Sequence, residues 1–246
     1  MPHDDVMLSI IVPAYNEAAY LPRYLPTVTA ALRLWEVGNP GLLGEVIVVD
    51  NNSTDDTGHV AASLGARVVT ERHRNIGAAR NAGATTSRGR YLLFIDADVA
   101  VPVNTCVRVV QVMSSGAVGG AIPAHYACRK ASARLLCRYW DWRRRRHGGA
   151  QGVAQFCTAD AFAQLGGYRA DLYMSEDHDF FHRLSELGTT TGRPVVIDDT
   201  LSVEASTRRY DTWPTWRMLW WQNPITARLF LTSPRFWRHW YSTTVR

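Results

Sequence analysis

The alternation of short β-branched runs with longer helical patterns is the feature that most constrains the fold. This alternation is typical of a layered α/β protein with a parallel core. The predicted strands are 8–13, 45–50, 66–70, 90–95, 117–122 and 195–197, and the predicted helices are 17–37, 53–64, 76–87, 103–114, 128–147, 161–165 and 176–187. The sequence therefore predicts a three-layer α/β/α fold around a mostly parallel central sheet, followed by a helical C-terminal segment rich in Trp and Arg.

Composition and the basic residues exclude several classes of protein. With 246 residues, 46% hydrophobic and 20% charged, the chain is expected to be globular rather than disordered. Lys130 is the single lysine among 27 basic residues, so a Walker A loop is excluded and a Schiff-base mechanism would depend on Lys130 alone. No run reaches the roughly 18 apolar residues of a membrane span.

The four cysteines contain no Cys-x-x-Cys pair. We therefore expect reduced thiols in a cytoplasmic protein. Basic charge is concentrated in two segments, because residues 126–150 carry eight basic and one acidic residue and residues 205–246 carry seven and one. Such segments suit a phosphate-bearing ligand, an anionic membrane or nucleic acid, and a solvated arginine face explains them equally well.

Polar residues follow three of the predicted strands, in segments 13–17, 50–52 and 96–98. Ligands of open α/β sheets bind beyond the carboxyl ends of the strands, so these segments are expected to meet at one edge. Asp96 and Asp98 flank one small residue directly after an apolar strand, where both can reach a hard divalent cation that binds a diphosphate. The alternative is an ordinary turn in which Asp bonds its own backbone.

A second acidic group begins the predicted helix 176–187. Acids in a first helical turn complement the helix dipole, but Glu176, Asp177 and Asp179 exceed what capping needs. A carboxylate there could act as general base toward a hydroxyl. Segment 74–83 has the compactness of a helix start that contacts a nucleotide, although it lacks the Gly-x-Gly-x-x-Gly fingerprint.

Five motifs occur in one order along the chain: Ile11-Val12-Pro13-Ala14-Tyr15-Asn16-Glu17, Val48 to Asp55, Asn75 to Asn81, Asp96-Ala97-Asp98 and Glu176-Asp177. This series resembles the family 2 glycosyltransferases, which have the Rossmann-like GT-A fold. The resemblance covers about residues 7–190. It implies an inverting transfer of a sugar from a nucleotide diphosphate sugar to an acceptor nucleophile.

The resemblance also implies roles for individual residues. Asp177 would take the acceptor proton, Glu176 would orient or assist it, and Asp98 with Asp96 would hold Mg²⁺ or Mn²⁺. The residues expected at the nucleotide sugar are Pro13, Ala14, Tyr15, Glu17, Asp50, Asn52, Arg74, Asn75, Ala79, Asp96 and Ala97, with Arg208 and Arg209 as candidates for the diphosphate. A UDP-sugar is the first expectation for the donor, with GDP- or dTDP-sugars as alternatives.

We expect residues 1–205 to form the catalytic domain, with the nucleotide-sugar half at about 1–100 and the acceptor half at about 101–205, and residues 206–246 to form an extension. The arginine- and tryptophan-rich stretch 126–151, whose predicted helix ends at Gly148 and Gly149, falls where acceptor-facing segments lie in such enzymes. It is either a solvated helix with aromatic packing, a site for an anionic acceptor, or a contact with a membrane that carries a lipid-linked acceptor. The last option would place the protein peripherally at the inner face of the membrane.

Two other functions remain open. Residues 91–99 also fit the start of a haloacid dehalogenase-type phosphatase, with Asp96 as nucleophile and Asp98 as acid, and Lys130 and Asp198-Asp199 in its later roles. The tryptophans and Arg143–Arg146 could instead belong to a module that binds single-stranded nucleic acid.

Overall fold

The computed structural model describes residues 6–147, 152–221, 230–233 and 235–239. Its strands are β1 Val6–Ala14, β2 Leu43–Asp50, β3 Arg67–Thr70, β4 Tyr91–Ile95, β5 Val99–Ala100, β6 Gly119–Ala121, β7 Ala124–His125, β8 Ala154–Thr158, β9 Val195–Ile197 and β10 Val203–Ala205. Its helices are α1 Leu21–Gly38, α2 Thr57–Ser63, α3 Ile76–Thr86, α4 Thr105–Ser114, α5 Ala131–His147, α6 Ala159–Leu165, α7 Glu176–Thr191, α8 Arg208–Thr212 and α9 Thr215–Trp221. A 3₁₀ turn covers Phe236–His239.

The central sheet has seven strands in the order β3-β2-β1-β4-β8-β6-β9. Strands β3, β2, β1 and β4 are parallel, as are β6 and β9, whereas β8 runs antiparallel to both of its neighbours. The predicted α/β architecture with a mostly parallel sheet is therefore confirmed.

Helices cover both faces of this sheet. In β1, Leu8, Ile10 and Val12 pack with α1 and α4 on one side, while Ile11 packs with α3, α6 and α7 on the other. This division follows from the period of two in a strand, because successive side chains point to opposite faces. Apolar residues at both phases of the strand therefore specify a sheet buried between two helical layers.

Strand β8 was not predicted from the sequence. Its five residues, Ala-Gln-Phe-Cys-Thr, lack a β-branched run, yet all five are buried. Pairing and burial between β4 and β6 stabilise this strand, although its residues have a low strand propensity. Because β8 is antiparallel to β4, Ala154 pairs with Ile95 and the start of β8 lies at the carboxyl end of β4.

Several predicted helix ends were wrong: α1 begins at Leu21 rather than at 17, α5 begins at Ala131 rather than at 128, and two further ends have a clear structural cause. Helix α2 begins at Thr57 rather than at Ser53, whose Oγ accepts a hydrogen bond from the Asn16 amide 3.0 Å away. Helix α7 continues through Gly188, where a side chain would lie 2.8 Å from the Arg193 carbonyl oxygen, and is capped by Gly192 at φ 67°. Gly188 thus permits a close approach, and Gly192 supplies the left-handed end.

The chain after β9 returns to the carboxyl edge of the sheet. Strand β10 joins β5 and β7 in a small second sheet, and α8 follows it directly. Helices α5 and α9 pack together with the C-terminal segment around the buried Leu136, Trp213, Met218 and Trp237. Gly148 and Gly149, where the helix 128–147 was predicted to end, and Trp240 of the tryptophan-rich C-terminal segment lie outside the described residues. Across the described ranges, every helix is too short or too polar to traverse a bilayer.

Candidate active site

The carboxyl ends of β1, β2 and β4 meet at one edge of the sheet. Ala14 at the end of β1 is in register with Asp50 at the end of β2, and the Asn51 amide donates to the Ala14 carbonyl at 2.8 Å. On the other side of β1, the β4 strand leads directly into Asp96, whose amide donates to the Val153 carbonyl at 3.3 Å. The three predicted polar segments therefore lie along the same edge.

A buried arginine, Arg80 of α3, connects the two acidic groups. Its Nη2 donates to Asp96 Oδ1 and its Nη1 to Glu176 Oε1, both at 2.8 Å. The Arg80 side chain is 2% exposed, and its guanidinium lies 5.0 Å from the centroid of the Tyr168 ring. One side chain thereby ties the end of β4 to the start of α7.

Asp177 is held by backbone amides at the entrance of β8. Its Oδ2 accepts from the Gly152 amide at 2.7 Å, and its Oδ1 accepts from the His178 amide at 2.8 Å. Burial acts to raise the pKa of Asp177, but His178, Arg80 and these two amides outweigh it and lower the pKa below its usual value. Asp177 is therefore an ionised carboxylate with both oxygens oriented.

Glu176 has the opposite electrostatic setting. Burial and the adjacent Asp177 charge raise the pKa of Glu176 to about 7, against the opposing effect of Arg80. Burial likewise raises the pKa of Asp96, although the Arg80 charge opposes this. The neighbouring acids Glu176 and Asp177 are thus pushed apart in proton affinity, which is common where two carboxyl groups have different tasks.

A second arginine, Arg208 at the start of α8, lies over the other half of the edge. Its Nη2 donates to Asp98 Oδ2 at 2.9 Å and also to Glu17 Oε1. The guanidinium lies 4.2 Å from the centroid of the Tyr20 ring. The negative charges of Asp98 and Glu17, together with hydrogen bonds, raise the pKa of Arg208 against the effect of its burial. Arg208 therefore bridges the acid after β4 and the acid after β1.

Arg209 lies near Arg208 and near the same acids. Burial and the Arg208 charge lower its pKa, while Asp98, Glu17 and Asp96 act in the opposite direction. Both arginines of α8 are therefore close to the acids of the strand ends.

The loops after β1 and β2 are bound to each other. Asp50 Oδ1 accepts from the Ser53 amide at 2.9 Å, and the Glu17 amide donates to Thr57 Oγ1 at 2.8 Å. Asn52 is exposed and has φ 61°, a left-handed conformation that Asn tolerates in turns. The Arg74 guanidinium lies 3.8 Å from the centroid of the Tyr15 ring. These contacts hold the two loops together at the carboxyl edge of the sheet.

The structure buries several other residues that the sequence placed at the nucleotide. Asn75 is fully buried, where its Oδ1 accepts from the Ala78 amide at 2.9 Å and its Nδ2 donates to the Leu172 carbonyl at 2.7 Å. Ala79 is a core residue below the sheet. Pro13, Ala14 and Ala97 are buried as well. Asn75 thus caps α3 and anchors the loop before α7.

Three residues of the site received no role from the sequence. Arg80 lies inside the motif Asn75 to Asn81, but its spacing in the sequence did not predict that it binds the distant acids Asp96 and Glu176. Gly152 permits Asp177 to approach, since a Cβ there would lie 2.8 Å from Asp177 Oδ2. Tyr126 is close to Asp96 and Asp98, which add to the effect of burial in raising its pKa. The basic stretch that begins at Tyr126 was the available signal.

The acids of this edge fit a divalent cation that is shared with a ligand. In the part of the chain that the structure describes, no three His, Cys, Asp or Glu side chains form a ready-made metal cage. Mg²⁺ is commonly held by one or two carboxylates together with substrate phosphates and water. Asp98 and Asp96 are 24% and 25% exposed and are each bound to an arginine, Asp98 to Arg208 and Asp96 to Arg80, so a cation would take the place of one of these contacts.

The fold is that of the GT-A glycosyltransferases. The mannosyltransferase PcManGT of Pyrobaculum calidifontis, solved with GDP-Man and Mn²⁺, has a TM-score of 0.63 at 20% identity over 84% of this chain and 58% of its own. Residues 1–349 of S. aureus TarS, solved with UDP-GlcNAc, have a TM-score of 0.60 at 17% identity over 81% of this chain and 58% of that chain. The family model "Glycosyl transferase family 2" matches residues 9–173, so this chain belongs to that family.

Curated relatives cover different shares of the chain. An uncharacterized glycosyltransferase of Mycobacterium tuberculosis is 34% identical over 45% of this chain and 45% of its own length. The dolichyl-phosphate beta-glucosyltransferase of Drosophila melanogaster is 41% identical over 38% of this chain and 31% of its own. An uncharacterized glycosyltransferase of Haemophilus influenzae is 29% identical over 80% of this chain and 67% of its own. The chain thus matches less than half the length of the first two relatives.

Proposed function

We propose that this protein is a metal-dependent, inverting glycosyltransferase that moves a sugar from a nucleotide diphosphate sugar to an acceptor nucleophile. The observation that supports the proposal is that the charges of Asp98 and Asp177 both act on Asp96, which Arg80 joins to Glu176 at the start of α7. Family membership and the neighbours solved with GDP-Man and UDP-GlcNAc support it.

The donor would lie across the ends of β1, β2 and β4. The base and ribose would lie against Tyr15, Arg74 and Asp50, and the diphosphate would lie near Asp98. Arg208 and Arg209 would contribute positive charge to the phosphates. Because Arg208 is bound to Asp98 and Glu17, donor binding would exchange carboxylate partners of this guanidinium for phosphate oxygens. A UDP-sugar is the first candidate, and GDP- and dTDP-sugars are the alternatives.

Asp177 would act as the general base. Its low pKa keeps it ionised at neutral pH, and two backbone amides hold its orientation. It would accept the acceptor proton as the acceptor oxygen bonds to the anomeric carbon and the nucleoside diphosphate departs. Glu176, bound to Arg80, would orient this end of α7.

Asp98, with Asp96 behind it, would hold Mg²⁺ or Mn²⁺ on the diphosphate. When bound, the cation neutralises charge on the departing nucleotide. Asp98 would give up its contact with Arg208 in order to bind the cation, while Asp96 would stay bound to Arg80.

Replacing Asp98 with Asn is expected to abolish the metal-dependent part of donor binding. A ligand that binds only the folded state raises the melting temperature, because at a hundredfold excess over Kd it adds about 2.7 kcal/mol to the free energy of unfolding. UDP-, GDP- and dTDP-sugars are screened by thermal shift with and without Mn²⁺. The wild-type protein should show an additional shift with Mn²⁺ for one donor, and Asp98→Asn should lose that addition.

The control is Asp160→Asn, which changes a carboxylate on α6, outside the five ordered motifs, and should leave both shifts unchanged. A metal-dependent shift of wild-type size in Asp98→Asn would refute the metal assignment. No shift with any donor in the wild-type protein would refute the donor class.

Replacing Gly152 with Ala is expected to reduce donor turnover by about 10–100-fold, because a misplacement of 1 Å at a reacting group can cost that much. The added methyl group would collide with Asp177, which must move away from the Gly152 amide. Turnover is measured as release of nucleoside diphosphate from the donor that the thermal screen identifies. Gly38→Ala, at a site with no atom within 4 Å of the added group, is the control and should retain wild-type turnover. Equal rates in the two variants would contradict the placement of Asp177.

The proposal extends to domains, acceptor and location. Residues 1–205 would form the catalytic domain, in which about 1–100 bind the donor and about 101–205 bind the acceptor. Residues 206–246 would form an extension that brings Arg208 to Asp98. The acceptor would be anionic or lipid-linked, as the basic stretch 126–151 suggests. The protein would act in the cytoplasm, peripherally at the inner face of the membrane.

The phosphatase alternative finds less support in the geometry. Lys130 Nζ donates to the Trp213 carbonyl at 3.3 Å, and Asp198 binds Arg108 and Thr200. Asp96 itself is bound to Arg80. The roles that a phosphatase would give to Lys130 and Asp198 are therefore taken by structural contacts. Release of phosphate from a phosphomonoester that is lost in Asp96→Asn would favour the phosphatase.

A further inference from the structure

The exposed aromatic side chains of the protein are concentrated on two helices and the segment that follows them. Within the described residues, every exposed Trp, Tyr or Phe lies between positions 139 and 230, on α5, on α9 or at the start of the segment after the gap. Scattered exposed apolar residues are ordinary, but a concentration of this kind marks an interaction site. We call the group the basic aromatic surface; it comprises Leu135, Tyr139 and Trp142 of α5, Trp216, Leu219 and Trp220 of α9, and the exposed arginines of α5.

Helix α5 has two apolar faces. Ala133, Leu136 and the half-buried Trp140 face the protein, which satisfies the amphipathic pattern that the sequence predicted. Leu135, Tyr139 and Trp142 are spaced by four and three residues and form a second stripe on the outside, where they are 71%, 49% and 55% exposed. Folding of this chain therefore buries one face and leaves the other in water.

Arginines flank the outer stripe. Arg134, Arg138, Arg145 and Arg146 of α5 are all exposed. Residues 126–150 carry eight basic residues against the single acid Asp141, which binds Arg144 and Arg145 at 3.0 Å. Long arginine side chains can keep their charge at a phosphate while their methylenes lie along apolar groups.

Helix α9 repeats this arrangement next to α5. Met218 is buried in the cluster that α9 shares with Leu136 of α5, while Trp216 and Trp220 are 69% and 56% exposed. Ser132 Oγ and Thr215 Oγ1 lie 2.7 Å apart and join the two helices at their starts. Two helices that are bound to each other thus both present Trp or Leu to solvent.

We propose that the basic aromatic surface docks on an anionic phospholipid bilayer. Amphipathic helices with Trp and Leu on one face and arginines beside them lie in the interfacial plane of membranes. Each basic residue near an anionic surface adds attraction, and tryptophan favours the headgroup level. The aliphatic Leu135 and Leu219 suit acyl chains and offer nothing for stacking on nucleic acid bases.

Helix α8 connects this surface to the acids at the carboxyl edge of the sheet. Asp211 Oδ1 accepts from the amides of Arg129 and Lys130, just before α5, at 2.8 and 3.3 Å. Three residues earlier, Arg208 binds Asp98 and Glu17. The docked bilayer would therefore lie beside the open edge of the sheet. This inference concerns lipid binding alone and does not depend on the proposed activity.

The test is flotation of the purified protein with vesicles, in the absence of any nucleotide sugar. Vesicles of phosphatidylcholine with phosphatidylglycerol should bind the protein at least about tenfold more strongly than vesicles of phosphatidylcholine alone, because each basic residue near an anionic surface adds attraction. Leu135→Ser combined with Trp220→Ser should weaken binding by at least about tenfold, since two apolar side chains no longer enter the bilayer. Arg138→Gln combined with Arg146→Gln should weaken binding to the anionic vesicles by about thirtyfold.

Val37→Ser is the matched control, because Val37 is 79% exposed at the end of α1. It should bind vesicles as the wild-type protein does. Binding that is equal for both vesicle types, or unaffected by the α5 and α9 changes, would overturn the proposal. The proposal would also be overturned if the protein did not bind vesicles but associated with itself, as measured by light scattering, and the serine variant abolished this association. Tight binding of a single-stranded oligonucleotide, without binding of vesicles, would overturn it as well. Far-ultraviolet circular dichroism of each variant verifies its fold.

Discussion

Replacing Arg80 with Met lowers the free energy of unfolding by about 3 kcal/mol at pH 8, the lower end of the range for breaking a buried ion pair. The guanidinium is 2% exposed and holds Glu176 and Asp96 at 2.8 Å, so its removal leaves a buried carboxylate without a cation. Part of this cost is avoided, because a buried acid without its partner takes up a proton instead. The measurement is urea unfolding of the two proteins.

The same substitution has a predicted pH dependence. With its pKa raised to about 7, Glu176 in the folded protein binds a proton below that pH, whereas in the unfolded chain it binds one only below about 4.3. Between these two pH values the folded protein binds one more proton at Glu176 than the unfolded chain does. The free energy of unfolding of the wild-type protein therefore falls as the pH rises from about 4.3 through 7. Arg80 compensates for the ionised Glu176 above pH 7, so Arg80→Met should cost more at pH 8 than at pH 6.

Arg88→Met is the control for a surface arginine. Its side chain is 66% exposed and lies 3.7 Å from Glu45, so its loss should change the unfolding free energy by less than about 1 kcal/mol. Arg80→Lys should fall between the two, because an ammonium keeps the charge but not the fork that reaches two acids. A wild-type unfolding free energy for Arg80→Met at pH 8 would show that Arg80 does not hold the site together.

Replacing Asp177 with Asn is expected to reduce transfer by about 10²–10⁴-fold while donor binding persists, which is the usual contribution of a general base. The amide keeps the shape of the side chain but cannot take the acceptor proton. Release of nucleoside diphosphate from the identified donor measures turnover, and the thermal shift with donor and Mn²⁺ measures binding. In the wild-type protein, the lowered pKa of Asp177 predicts that its ionisation limits the rate only below the ordinary aspartate range.

Asp179→Asn is the matched control on the same turn of α7. Asp179 binds Arg183 at 2.7 Å and has no part in the proposed chemistry, so turnover should stay within about threefold of wild type. Full turnover in Asp177→Asn would refute the base assignment. A phosphate acceptor, which is already ionised, gives a distinct outcome, because turnover would then survive the substitution with that acceptor and fall with a hydroxyl acceptor.

The parts of the fold that were predicted well are those with a strong local pattern. Strand β4 was expected as a buried strand and is one, because an unbroken apolar run has no polar side to turn toward water. Strand β8 was missed, since its burial comes from β4 and β6 rather than from its own residues. The predicted meeting of polar segments at one sheet edge follows from parallel strands alone, and it needed no knowledge of side-chain contacts.

The sequence by itself determined the order of strands and helices, the acids that follow them and the family to which they belong, because these depend on residue type and short spacing. The tertiary structure alone decided which charges meet. Arg80 binds Glu176 across 96 positions, and Arg208 binds Glu17 across 191. The physical reason is that an ion pair of this kind requires two elements to be placed within 3 Å by the packing of the whole sheet, and no local pattern encodes that placement. The same packing decided that α5 buries Leu136 and leaves Leu135 in water.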